Sequence, residues 1–279
     1  MGRQHSAAIL LSVLGLLFSG CGDDTVATGE RTPDSYEGPL RVARGEAEHP
    51  GAGAAGNVVE CAAWGDGGST NGQVYADGAT AASAEEALEV ARSEGGFGGV
   101  QRGLLVAGRE QDRVLYVWTV DGAVDGAVKQ AVIVHNGPAT EGAGGPGWYV
   151  ESWAHCDYSE LPRSFTDGLG LQIWTDADGR PLPTTTIDSW EGPEHCDWQS
   201  MTFLHLGGAV YVRNPQPDLA DFFATPYEED ADLPAHAVDT GYERKGDRLW
   251  LSTDRQRAFV GSEQGVEVWP RTVDPLGCA

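Results

Sequence analysis

The stretch Val114-Leu115-Tyr116-Val117-Trp118-Thr119-Val120 decides the fold class. Val114, Tyr116 and Trp118 fall on one side and Leu115, Val117 and Thr119 on the other, which is the period of a strand. Three further apolar runs surround it, at 103–107, 128–135 and 148–155, each set off by turns containing Gly or Asp. Ahead of them, Ser83-Ala84-Glu85-Glu86 has the capping-box spacing of a helix start, with acids where the helix dipole favours them. Ala84, Ala87, Leu88 and Ala91 then share one face, and Gly95-Gly96 ends the segment. A helix laid across a curved antiparallel sheet is the simplest packing that buries these faces.

From about residue 166 onward the signals are hairpins. The run 171–175 turns through Asp176-Ala177-Asp178-Gly179, and 201–206 turns at Gly207-Gly208 into 209–213. Residues 248–252 turn into 257–260, and 266–269 follow. The expected class is therefore α+β: an N-terminal helix on an antiparallel sheet over 57–165, then a mostly β half of hairpins over 166–279. The order of helix followed by strands resembles the cystatin and NTF2-like layouts.

The start of the chain reads as an address. Arg3 precedes Ala-Ala-Ile-Leu-Leu-Ser-Val-Leu-Gly-Leu-Leu-Phe at 7–18, an apolar run too short for the roughly 20 residues a bilayer demands and suited to an export signal. Leu17-Phe18-Ser19-Gly20-Cys21 follows, and it resembles the lipobox of bacterial lipoproteins. The resemblance implies that residues 1–20 are removed and that Cys21 is lipidated as the new N-terminus. The chain is then exported and held on the outer face of the cytoplasmic membrane or in the envelope by lipid alone. Residues 21–56, rich in Gly, Asp, Glu, Thr and Pro, read as a flexible stalk with a reach of about 30–35 Å.

Five cysteines is an odd number for an exported chain. Assigning Cys21 to lipid leaves Cys61, Cys156, Cys196 and Cys278, an even set in an oxidising compartment. Of the three pairings open to them, Cys61–Cys156 with Cys196–Cys278 places one bridge in each half.

Charge narrows the partners. The chain carries 18 Lys+Arg against 42 Asp+Glu, a formal −24, and loss of residues 1–20 removes one further positive charge and no acid. Such a chain is no nucleic-acid binder, because phosphate recognition requires a basic face. It is likewise repelled by anionic headgroups, so any membrane contact is through the anchor. With 41 % hydrophobic residues it has the material for a core.

Chemistry is less legible. His155-Cys156-Asp157 and His195-Cys196-Asp197 offer N, S and O ligands for zinc or copper, but neighbouring side chains on a strand point apart, and the cysteines are expected in disulfides. The two strings also echo each other 40 residues apart. Gly51-Ala52-Gly53-Ala54-Ala55-Gly56 spells a dinucleotide fingerprint without the strand and helix that give it meaning, so it reads as linker. No G-x-S-x-G or H-E-x-x-H is present. Tryptophans are frequent, and Trp148, Trp153, Trp190 and Trp198 gather around the His-Cys strings as candidate contacts for a glycan, a peptide or an envelope protein. The C-terminal Trp198-Gln199-Ser200 and Pro275-Leu276-Gly277-Cys278 resemble tails of exported bacterial proteins of unassigned function. The expected activity is that of a non-catalytic binding module without a cofactor. The alternatives are an envelope hydrolase without a recognisable motif and a metal-handling lipoprotein using His155 and His195.

Overall fold

A computed structural model describes residues 29–30, 36–43, 46–69, 80–93, 103–119, 126–138, 146–262 and 264–277. The signal segment, Cys21 and Cys278 lie outside these residues.

The first half is built on one sheet of six strands, ordered β1-β3-β4-β5-β6-β2. These are β1 (Gly29–Glu30), β2 (Trp64–Ser69), β3 (Leu105–Arg109), β4 (Arg113–Thr119), β5 (Val128–Pro138) and β6 (Pro146–Cys156). All pairings are antiparallel except β1 with β3. Helix α1 (Ala84–Ser93) starts where the capping box puts it: the Glu86 amide donates to Ser83 Oγ at 3.1 Å, and Glu86 Oε2 accepts from the Ala82 amide at 2.8 Å. Its Ala84, Ala87, Leu88 and Ala91 pack on Val114, Tyr116, Val132, Val134 and Val150. The opposite pleat, Leu115, Val117, Ala131 and Ile133, is covered by Leu40, Ala52, Ala54, Ala55 and Val58.

That second cover corrects the stalk. Residues 36–43 and 46–56 are part of the folded body, with Leu40, Ala52 and Ala55 buried and Gly53–Asn57 forming a 3₁₀ turn against the sheet. Polar, alanine- and glycine-rich composition reads as linker, yet here small residues let backbone lie close on backbone. A Cβ on Gly67 would come within 2.6 Å of Ala52 Cβ. The linker reading of 51–56 fails for the same reason.

The second half holds two antiparallel sheets. One runs β10-β9-β8-β7, from β7 (Leu171–Gln172), β8 (Ile187–Glu191), β9 (Thr202–Leu206) and β10 (Ala209–Arg213). The other runs β11-β15-β14-β13-β12, from β11 (Glu228–Ala231), β12 (Val238–Arg244), β13 (Asp247–Leu251), β14 (Arg257–Ser262) and β15 (Gly265–Pro270). The Gly207-Gly208 turn has positive φ at both positions, 56° and 80°, as a two-residue hairpin of matching twist requires. Strand alternation is strict. Leu204, Tyr211, Leu249, Leu251, Ala258, Val260 and Trp269 face one shared core with Trp174 and Ile187, while Phe203, Val212, Trp250, Phe259 and Val268 face outward into separate clusters.

Two single-residue bridges join these two sheets. Thr175 and Glu243 exchange backbone hydrogen bonds at 2.8 and 2.9 Å, linking the β7 side to β12. Tyr211 bridges Arg271, with the Thr272 amide donating to Val210 O at 2.9 Å, linking β10 to the exit of β15. Eight strands, β7–β10 and β12–β15, thereby circle a closed wall whose interior is filled by side chains, as expected of so small a barrel.

The chain is thus mostly β, which corrects the α+β expectation and the cystatin or NTF2-like layout. Helix α1 does lie on the sheet, but it is ten residues long and α2 (Arg163–Gly168) six. Most of the buried hydrophobic residues among those described lie on strands, and the second face of the first sheet is covered by irregular chain.

The halves are fastened at the end of β6. Asp157 is 1 % exposed, and its carboxylate accepts from the Ser159 amide at 2.8 Å, the Thr184 amide at 3.0 Å and Thr184 Oγ1 at 2.7 Å. Every bond it needs is supplied, which is the condition under which a buried carboxylate persists.

Candidate functional site

A disulfide joins Cys61 to Cys156, as the pairing argument expects. Cys196 is also disulfide-bonded; its expected partner Cys278 lies outside the described residues. A Cys156–Cys196 link is excluded, because Cys156 is taken. The thiolates a metal site would use are therefore consumed. His155 is buried at the end of β6, with Nδ1 2.8 Å from Cys156 O, whereas His195 sits in the 3₁₀ turn Glu194–Cys196. The two strings occupy different kinds of structure, so their likeness is no repeat. Among the described residues no three His, Cys, Asp or Glu side chains converge on a point that could hold a metal ion.

The four tryptophans separate into two clusters. Trp148 and Trp153 belong to the core under α1, while Trp190 and Trp198 pack around Phe203 on the outside of the second sheet. Trp153 and Trp198 are buried, and none of the large exposed apolar side chains among the described residues is a tryptophan. The Trp190 indole donates to His205 Nδ1 at 3.2 Å, beside Asp188 at 3.0 Å from the same nitrogen. Their first duty is packing.

The concave features lie instead at the two ends of the closed wall. At one end, Arg213 and Glu267 form a two-bonded ion pair at 2.7 and 2.8 Å, and the Trp269 indole donates to Glu267 at 2.8 Å. Beside them Arg244 lies 5.5 Å over the Trp174 ring and donates to Gln172, which also accepts from Ser189 Oγ. Around this cleft of about 470 Å³ Asp247, Glu229 and Asp230 add acids; Arg213 is ion-paired, whereas Arg244 keeps a buried Nε without a hydrogen-bond partner among the described residues.

The other end is more apolar. A cleft of about 370 Å³ is walled by Leu206, Ala209, Val238, Tyr242 and Leu251, with Tyr211, Arg255 and Arg271 among its polar lining. Tyr211 comes from β10, Arg255 from the β13–β14 turn and Arg271 from the exit of β15. The Tyr211 hydroxyl donates to Arg255 O at 3.1 Å and so pins that turn. Burial pushes the Tyr211 hydroxyl above its ordinary range, while the Arg271 and Arg255 charges pull the other way. Arg255 holds a positive φ of 55°, uncommon for a residue with a side chain. Neither guanidinium has an ion pair or side-chain hydrogen bond among the described residues. Asp239, the acid on this rim, is committed to Arg248 and to the Gly241 amide.

Sequence reasoning missed this trio because no local signal exists: residues 211, 255 and 271 meet only through strand topology. A ligand cleft at a barrel mouth, apolar with a few convergent polar groups, is a recurrent arrangement. Among the described residues no helix is long and apolar enough to cross a membrane. A scan against protein-family models and searches of curated proteins and of solved structures found no match for this chain.

Proposed function

We propose that this chain is an exported lipoprotein, tethered through Cys21, that serves as a non-catalytic binding module whose site is the apolar mouth of the closed β wall. One observation carries the binding reading: of the two wall ends, one is lined mostly by polar groups, with Arg213 held by Glu267, and the other presents apolar walls with two arginines that have no ion pair among the described residues. Such a mouth holds a small molecule by its apolar body and orients it by its polar end. The tether rests on the lipobox-like Leu17–Cys21 string alone.

The test of the site is a thermal-shift screen of small amphiphiles on the wild type and on Ala209→Trp, which fills the mouth with an indole. Hits that vanish in the variant support the reading. Hits that survive in it, or a screen without hits, contradict it. The tether is tested by labelling cells with a radioactive fatty acid: label should enter the wild type and be lost in Cys21→Ala.

A further inference from the structure

Resting on the reading of the mouth as a binding site, we propose that its ligand is a small organic carboxylate, seated with its charged group between Arg255 and Arg271 and its apolar body on Leu206, Ala209, Val238 and Leu251. In a chain with 42 acids against 18 bases, carboxylates are abundant and cations scarce. Two arginines without an acidic partner on one apolar cleft therefore leave local positive charge where the rest of the chain is negative. Guanidinium forks match the two oxygens of a carboxylate.

Neither nearby acid is ion-paired to Arg255 or Arg271. Asp239 is held by Arg248, and Asp254 accepts from Ser252 Oγ at 2.6 Å and from the Gln256 amide at 3.1 Å. The Tyr211 hydroxyl spends its proton on Arg255 O, fixing one arginine's backbone. Bare phosphate shares the oxyanion chemistry but fits less well on two counts. A dianion meets the field of a −24 chain at about twice the cost of a monoanion, and phosphate leaves the apolar wall uncovered. The opposite end of the wall serves as an internal contrast, since its Arg213 already holds Glu267 in the geometry a ligand carboxylate would adopt.

The experiment is isothermal titration of the full mature chain with sodium octanoate, 1-octanol and sodium phosphate at matched ionic strength. Octanoate should bind, octanol about tenfold more weakly or not at all, and phosphate should not compete. Arg271→Gln and, separately, Arg255→Gln on the exposed turn should each weaken octanoate about tenfold, while Arg180→Gln, outside the lining of the mouth and paired with Asp176 and Asp178, changes nothing. Circular dichroism verifies that each variant is folded, and either of the two mouth variants suffices if the other fails to fold. Octanol binding as well as octanoate, with both variants unaffected, overturns the carboxylate assignment and leaves the mouth as an apolar site. Phosphate displacing octanoate at equal concentration overturns it in favour of a bare oxyanion site. Absence of binding by all three probes overturns it as well, and the amphiphile screen then decides separately whether the mouth binds at all.

Discussion

Replacing Asp157 by alanine removes the acceptor for three donors at the seam between the halves: the amides of Ser159 and Thr184 and the Thr184 hydroxyl. Hydrogen bonds to a charged group contribute about 1.5–3 kcal/mol each when buried. Ser159 and Thr184 are only half-buried, so water reaches their donors once the carboxylate is gone, and the low end applies. Three bonds at about 1.5 kcal/mol give an expected loss of about 4.5 kcal/mol. Asp157→Asn, which keeps one acceptor oxygen, should cost about half as much. The assay is urea unfolding followed by tryptophan fluorescence. Because the carboxylate spans the seam, the alanine variant should also separate a single transition into two. A cycle with Thr184→Val should return a coupling of about 1 kcal/mol or more. A loss below about 0.5 kcal/mol for Asp157→Ala, with a single unchanged transition, would refute the claim that this side chain fastens the halves.

Two further perturbations follow from the same contacts. Replacing Cys61 and Cys156 together by alanine opens a loop with a sequence separation of 95 residues, and chain entropy predicts a loss of about 4–5 kcal/mol, read as a lower urea midpoint. Burial pushes the Glu267 carboxyl up, but the Arg213 bonds, the Trp269 indole and the Arg213 and Arg244 charges outweigh it, leaving the group below its ordinary range. A carboxyl depressed in the folded state stabilises above its unfolded-state value, and that contribution is lost as pH falls through the folded value. The stability gap between wild type and Glu267→Gln should therefore narrow on acidification; a gap independent of pH contradicts the assignment.

Much of the fold was legible because strand and cap signals are local. The alternation at 114–119, the Gly207-Gly208 turn and the capping box at Ser83 each lie within a few residues, and each appears as the sequence predicts. Strand β2 was not legible. Its Trp-Gly-Asp-Gly-Gly-Ser lacks every strand-forming preference except at Trp64, and its glycines are there because β6 crowds them. A Cβ on Gly65 would meet Cys156 O at 2.5 Å, and one on Gly68 would meet Trp153 Nε1 at 2.9 Å. The cover at 36–43 and 46–58 was missed for a related reason: buried alanine and glycine look like linker when the sheet beneath them is unknown. The α+β expectation failed by giving one amphipathic helix the weight of a layer. As for the site, the four tryptophans drew attention by type, and tryptophan is as often core as contact. Tyr211, Arg255 and Arg271 drew none, since what distinguishes them is the missing partner, a property of three dimensions.

The most direct test of the account is hydrogen–deuterium exchange of the full mature chain with and without saturating octanoate. Binding at the apolar mouth predicts slower exchange confined to 206–211, 238–242, 251–255 and the exit of β15 at Arg271. Protection at 244–247 and 261–267 instead, or no protection anywhere, would contradict the claim that the apolar end of the β wall is the binding site.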